Sequence, residues 1–311
     1  MLHIVINPET ASGKGAKAWS SIRPLFDKYG CDYKLHISEK PGDIGRILNK
    51  LTSFDTGRLS EKEFTDIVII GGDGSMNEAV NSICDFEHTR LGFIPAGSGN
   101  DLAKAILKTK DRDELVQRIV KHKTVRSVDI GLMESGENRR LFNISSGIGF
   151  DARICHEANS IGLKKRLNKI GLGKLVYIFV AVKTILKNKK FFCQIEFDGN
   201  ERLTYKRCLF AVGMNTAFEG GGFMFCPEAS DEDGTLEFCI ADGISALKFF
   251  LLFPLAYFGK HIYFRGIDIK RAKSVRIRTK TPVWLHTDGE VAFKTDDVRL
   301  SVYPQKLKLL I

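Results

Sequence analysis

Apolar positions are spaced differently in the two halves of the chain. In the first half, His3 to Ile6 reads as a short buried strand stopped by Asn7-Pro8, and a helical period follows from about Ala16 to Lys28. Tyr33 to Ile37 reads as a second strand, and 43–51 as a second helix. The polar stretch Thr52 to Glu63 reads as a loop. Ile67-Val68-Ile69-Ile70 is a continuous β-branched run, the pattern of a strand covered on both faces. A helix is expected to open near Asn77-Glu78, and a further strand spans Leu91 to Ile94. Strand, loop and helix in repetition predict layered α/β structure on a parallel sheet.

From about residue 130 the segments shorten and alternate. Leu141–Ser145, Phe192–Phe197, Cys208–Gly213, Leu236–Ala241, Val275–Arg278 and Val283–His286 read as antiparallel strands, with helical patches near 164–188 and 245–258. The expected fold is therefore α/β plus all-β. A layered, Rossmann-like nucleotide-binding domain covers 1–130, and a β-rich, sandwich-like domain covers 131–297.

The chain has 311 residues, enough for two cores. Its seven cysteines are odd in number and form no CxxC pair, which predicts reduced thiols. The histidines show no zinc spacing. The opening Met-Leu-His-Ile-Val-Ile-Asn-Pro reads as strand and turn rather than leader. The longest apolar run, Phe249 to Phe258, is broken by Pro254 and is shorter than the roughly 20 residues of a membrane span. It reads as core, with a membrane-dipping segment as the alternative, and a cytoplasmic protein with peripheral membrane association is expected. A formal charge of +10 favours polyanions: nucleotide phosphates, nucleic acid or an anionic membrane face. No nucleic-acid-binding module accompanies that charge.

Three loops follow strands of the first half: Asn7 to Gly15, Gly71 to Ser75, and Gly97 to Asp101. In an open parallel sheet, ligands sit at the carboxyl ends of the strands, where all three loops lie. Glycine lets backbone approach an anion closely, and a helix N-terminus presents N–H groups to it. The set suits phosphate. It is neither a P-loop, since Gly15 follows Gly13-Lys14, nor a dinucleotide fingerprint.

Ile70-Gly71-Gly72-Asp73-Gly74-Ser75-Met76-Asn77-Glu78 closely resembles the GGDGT-x-NE signature of diacylglycerol, sphingosine and ceramide kinases and of NAD kinases. Pro95-Ala96-Gly97-Ser98-Gly99-Asn100-Asp101 resembles the PxGTxND block of the lipid kinases, and Asn7-Pro8 with Ser12-Gly13-Lys14 their NPxSGK segment. Val128 to Gly131, Gly147 to Asp151, Asp233 to Leu236 and Asp288-Gly289-Glu290 match further blocks in family order. Ser75 and Ser98 stand where threonine is usual.

The resemblance implies a bacterial diacylglycerol kinase-like enzyme that uses ATP and Mg2+ to phosphorylate a lipid hydroxyl, with 298–311 returning to the first domain by a strand near Leu300–Pro304. It implies Asp288 as general base and Glu290 as organiser of nucleotide and magnesium; an Asp-Gly hairpin turn is the bland alternative. Nucleotide contacts are implied for Asn7, Ser12, Gly13, Lys14, Ser38, Gly72, Asp73, Gly74, Ser75, Asn77, Glu78, Gly97 and Ser98. Asp73 is read as facing a metal directly or through water, with backbone hydrogen bonds within its own loop as the alternative, and Asp101 as capping a helix that begins at Leu102. Asp231, Asp233 and Thr235 are implied as a structural magnesium site, with a solvated acidic turn as the alternative. Lys164, Lys165, Arg166, Lys169 and Lys174 form a basic patch suited to ATP phosphates or an anionic membrane. The expected partners are ATP, a lipid with a free hydroxyl and, peripherally, an anionic membrane surface; nucleic acid is not expected, and a homodimer is allowed. Diacylglycerol is the first acceptor, with phosphatidylglycerol, undecaprenol or a sphingoid base as alternatives. NAD kinase and a non-catalytic lipid- or nucleotide-binding protein are the competing readings.

Overall fold

The computed structural model describes residues 1–53, 64–107, 109–121, 124–160 and 190–311. The basic patch, the helical patch near 164–188 and most of the polar loop lie outside these residues. The chain divides into two compact units, Met1–Val128 with Pro304–Ile311, and Asp129–Tyr303.

The first unit is built on strands β1 (Leu2–Ile6), β2 (Tyr33–Ile37), β3 (Thr65–Gly71), β4 (Thr89–Pro95) and β5 (Val125–Val128), joined by the C-terminal strand β17 (Leu307–Leu310). Their order is β2-β1-β3-β4-β17-β5, parallel except where β17 meets β5. The helices are α1 (Lys14–Lys28), α2 (Asp43–Thr52), α3 (Asp73–Val80), α4 (Asp101–Ile106) and α5 (Arg112–Val120). Every residue from Ile67 to Ile70 is fully buried, as expected for a strand covered on both faces. Ile22 and Phe26 of α1 and Val116 and Ile119 of α5 pack with Ile4, Val68, Ile70 and Leu310 in one core.

The second unit holds β6 (Gly131–Ser135), β7 (Asn138–Phe142), β8 (Ser145–Gly149), helix α6 (Phe150–Ser160), β9 (Phe191–Phe197), β10 (Glu201–Met214), β11 (Phe218–Glu219), β12 (Phe223–Met224), β13 (Leu236–Asp242), helix α7 (Ala246–Ala256), β14 (Ile267–Ala272), β15 (Ser274–Thr287) and β16 (Glu290–Val302). The antiparallel order is β14-β13-β10-β8-β15-β16-β6-β7. The two long strands β10 and β15 each carry a register shift, and both pair with β9 along one half and with β8 along the other. Bulges of this kind let one strand serve two directions. The enclosed core includes Phe142, Ile195, Phe238, Val275 and Leu285.

Several sequence expectations shift. The two runs around Val275 and Val283 are one strand, β15. Leu141–Ser145 is split between β7 and β8. Residues 298–302 do not return to the first unit: Leu300 pairs with Met133 inside the second core, and Leu307–Leu310 makes the return beside β4. Among the described residues no helix is long and apolar enough to cross a membrane. All seven cysteines are free, and burial pushes the thiols of Cys208, Cys226 and Cys239 well above their ordinary range.

Candidate active site

In the first unit, the sheet brings the three glycine loops to one edge. The Asn7 N–H donates to the Ile70 carbonyl and the Ala96 N–H to that of Gly71, so the loops leave β1, β3 and β4 side by side. The first loop turns through Ala11, Ser12 and Gly13, all with positive φ, before α1 begins at Lys14. Two non-glycine residues in that region store backbone strain, which accumulates at functional loops. The second and third loops touch. A Cβ on Gly97 would lie 2.8 Å from the Gly72 Cα, and one on Gly72 3.3 Å from the Gly97 Cα. Only glycine permits that approach of backbone to backbone.

Helix α3 opens at Asp73, earlier than the sequence suggests, so Gly74 and Ser75 lie in its first turn. First-turn N–H groups have no partner within a helix and present the positive end of its dipole. The Asp73 carboxylate is directed elsewhere. Its Oδ2 accepts from Asp101 N (3.2 Å) and its Oδ1 from Leu102 N (3.3 Å), which caps α4. The Asp73 carboxylate thus meets a helix terminus, and α4 begins at Asp101 rather than at Leu102; the Asp101 carboxylate itself pairs with Lys104 at 2.6 Å. With its charge so placed, Asp73 is compatible with a phosphate beside it.

The remaining residues sort by exposure. Ser12, Lys14, Gly74 and Ser98 are exposed, and Asn7, Gly13, Gly72 and Gly97 partly so. Ser38, Ser75 and Asn77 are buried. The Ser38 hydroxyl donates to the Lys40 carbonyl, and the Asn77 side chain accepts from Asn81. Glu78 accepts from the Gly45 N–H of α2 at 2.9 Å. These roles hold the loops in place.

In the second unit, Asp288 and Gly289 form a two-residue hairpin turn between β15 and β16, with φ of 50° and 76°. Both central residues therefore take left-handed backbone, as a type I′ turn requires. Three N–H groups converge on the Asp288 carboxylate: Asn143 on Oδ2 at 2.9 Å, and Ile144 and Ser145 on Oδ1 at 2.9 and 3.0 Å. The carboxylate is fixed in place by backbone. Glu290, exposed, opens β16.

Beside this turn lies a buried network that sequence reasoning missed. His286 is fully buried, with Nε2 3.0 Å from Asp151 Oδ2 and 3.8 Å from Glu219 Oε1. Ser145 Oγ donates to Glu219 Oε1, and Ser146 Oγ to the His286 carbonyl. Burial is the largest single influence on the ring and opposes its charge. Asp151, by charge and hydrogen bond, with Glu219 and Asp288, outweighs burial and pushes the imidazole up to about 9. The Gly289 N–H, 3.4 Å from Nδ1, would suit a neutral ring, but one bond at the limit of length does not balance three carboxylates. The signal was a histidine at an inward position of a strand, two residues before a candidate catalytic acid.

A stability prediction follows from that ring. A group whose folded value exceeds its unfolded 6.5 stabilises fully below 6.5 and loses its contribution as pH rises through about 9. Urea unfolding of the second unit should weaken by about 3 kcal/mol across that window. His286→Gln should flatten the slope. Equal slopes in both proteins would remove the charge from His286.

The acidic turn is held by hydrogen bonds of its own. Asp233 Oδ1 accepts from the Thr235 N–H and hydroxyl at 2.9 and 2.7 Å, and Arg271 lies 3.8 Å from Asp233 Oδ2. The Asp231 carbonyl accepts from Asp129 N. Among the described residues, no cluster of three or more His, Cys, Asp or Glu side chains could hold a metal.

Comparison with known proteins agrees with these features. Residues 1–133 match the diacylglycerol kinase catalytic domain, and residues 144–311 match the YegS C-terminal NAD kinase β-sandwich-like domain. YtlR of Bacillus subtilis, named as a candidate lipid kinase, is 28% identical over 98% of this chain and 97% of its own. A diacylglycerol kinase of Staphylococcus haemolyticus is 26% identical over 94% of this chain and 82% of its own. Among solved structures, a diacylglycerol kinase from Bacillus anthracis superposes with a TM-score of 0.71 over 99% of this chain and 96% of its own, at 19% identity. An NAD kinase from Archaeoglobus fulgidus shares the fold at a TM-score of 0.51 and 11% identity, over 100% of this chain and 94% of its own. From its glycine loops to its β-rich second half, the chain belongs to the diacylglycerol kinase family of lipid kinases, and is a transferase.

Proposed function

We propose that the protein transfers the γ-phosphoryl group of ATP, taken as its magnesium complex, to a lipid hydroxyl, with diacylglycerol the acceptor and phosphatidic acid the product. The observation that carries this is the close approach of Gly72 and Gly97 beside the N-terminal turn of α3. Backbone packed this tightly leaves N–H groups, not side chains, facing an anion. Exposed Lys14 and Ser12 supply charge and a hydroxyl on the neighbouring loop.

Phosphoryl transfer requires positioning, charge neutralisation and removal of one proton. Asp288 accepts the proton of the lipid hydroxyl. The oxygen then forms its bond to the γ-phosphorus as the bond to the β-phosphate oxygen breaks, and ADP leaves. Relatives named diacylglycerol kinase support that acceptor over phosphatidylglycerol, undecaprenol or a sphingoid base. γ-Labelled ATP offered to these lipids in detergent micelles, and separately to NAD, tests the reading. Label is expected in phosphatidic acid. Label in NAD, or in no lipid, would overturn it.

A further inference from the structure

Helix α7 is apolar on two sides. Phe249, Leu252 and Ala256 face the core of the second unit. Opposite them, Leu247, Phe250, Leu251 and Pro254 follow one another at helical spacing and form a second stripe, and Phe258 stands in the turn just after the helix. Leu247 is 74% exposed, Leu251 66% and Phe258 65%. The short turn after the helix adds Tyr263, 82% exposed, and Phe264. Lys248 Nζ donates to the Arg265 carbonyl and ties this turn to the helix. The turn is thus held beside the helix, and exposed apolar side chains gathered in one segment mark an interaction site. The expectation that 249–258 is core holds for one side only.

Charge within this segment has one sign. No Asp or Glu lies between Asp242 and Asp268, while Lys248, Lys260 and Arg265 do. Leucine and phenylalanine beside tyrosine and long cationic side chains is the composition of a helix lying in a membrane interface.

We infer that α7 and the turn to Arg265 dock the protein on an anionic bilayer, with the stripe seated among acyl chains and the three cations at the phosphate level. The choice of a bilayer rests on the lipid-kinase reading as well as on this charge. A second copy fits poorly, because a two-fold contact would bring Lys248, Lys260 and Arg265 close to their own copies, with no acid in the segment itself to pair them.

Sedimentation of the whole protein with phosphatidylglycerol-phosphatidylcholine vesicles tests the inference. Leu251→Ser and Phe258→Ser, both exposed sites, should each weaken binding by about tenfold or more. Lys260→Glu with Arg265→Glu should weaken binding by about tenfold or more at low salt, and the difference should shrink as salt rises. A Phe258→Trp reporter should shift to the blue and be quenched by brominated lipid. Turnover of a monomeric short-chain diacylglycerol should be unchanged in the serine variants. Vesicle binding equal to the unmodified protein's in the serine variants would overturn the inference, as would a dimer that these variants dissociate while vesicle binding persists. Vesicle binding that depends on the stripe, in a protein that phosphorylates no lipid, would uphold this surface and refute the substrate instead.

Discussion

Replacement of Asp288 by asparagine should lower turnover by about 10²–10⁴, the range for loss of a general base. The Michaelis constants for ATP and lipid should change little, since the lost interaction acts in the transition state. The structure refines what this variant does to folding. Asparagine tolerates the left-handed φ of 50° at this turn better than other uncharged residues. Its carbonyl oxygen can still accept from Ile144 and Ser145, but its amide would meet the Asn143 N–H donor to donor. The second unit should therefore lose about 1–3 kcal/mol of stability, the cost of one unsatisfied buried donor. Removing one of three carboxylates near His286 should also lower that ring's proton affinity. Activity and stability are separable by measuring turnover well below the unfolding midpoint. Near-normal turnover there would reduce Asp288 to a turn residue. The proton acceptor would then be sought at Asp101 or Asp151, which pair with Lys104 and His286.

Gly74→Val should produce the second large effect, on nucleotide binding. Gly74 is exposed in the first turn of α3, so a larger side chain meets no core. A β-branched side chain there would stand where phosphate must approach the backbone. Losing one or two charge-assisted hydrogen bonds, at about 1.5–3 kcal/mol each, weakens ATP binding by about 10²-fold or more. Calorimetric titration checks this, with circular dichroism as the control for folding. Unchanged ATP affinity in the folded variant would move the phosphate site away from α3. Gly97→Ala tests the same site through backbone packing, because its methyl group would collide with Gly72. That variant should lose stability as well as affinity.

What the sequence revealed and what it hid follow from the range of the interactions. Ile67 to Ile70 could be read as a doubly covered strand because burial on both faces removes the alternation that a half-exposed strand keeps. Asp288-Gly289 could be read as a turn because the dipeptide itself satisfies the backbone requirement. The partners of both candidate acids are distant in sequence. Asp73 bonds to N–H groups at 101 and 102, and Asp288 to those at 143, 144 and 145. Backbone donors leave no residue-type signal, so no motif announces them. The final strand was placed too early because Leu300 and Leu307–Leu310 are both apolar, and only pairing distinguishes them. Helix α7 read as core because a uniformly apolar helix shows no exposed face in its sequence. His286 was hidden for the opposite reason: its place two residues before Asp288 is a signal, but it does not reveal the distant Asp151 and Glu219 around the ring.

Phosphorus-31 NMR of the purified protein with ATP, magnesium and diacylglycerol in mixed micelles tests the central claim most directly. Phosphatidic acid should grow as a phosphomonoester signal in step with ADP, and Asp288→Asn should slow both together by about 10²–10⁴ while still binding ATP. ATP consumed to ADP and free phosphate with no phosphomonoester on any lipid would contradict the claim.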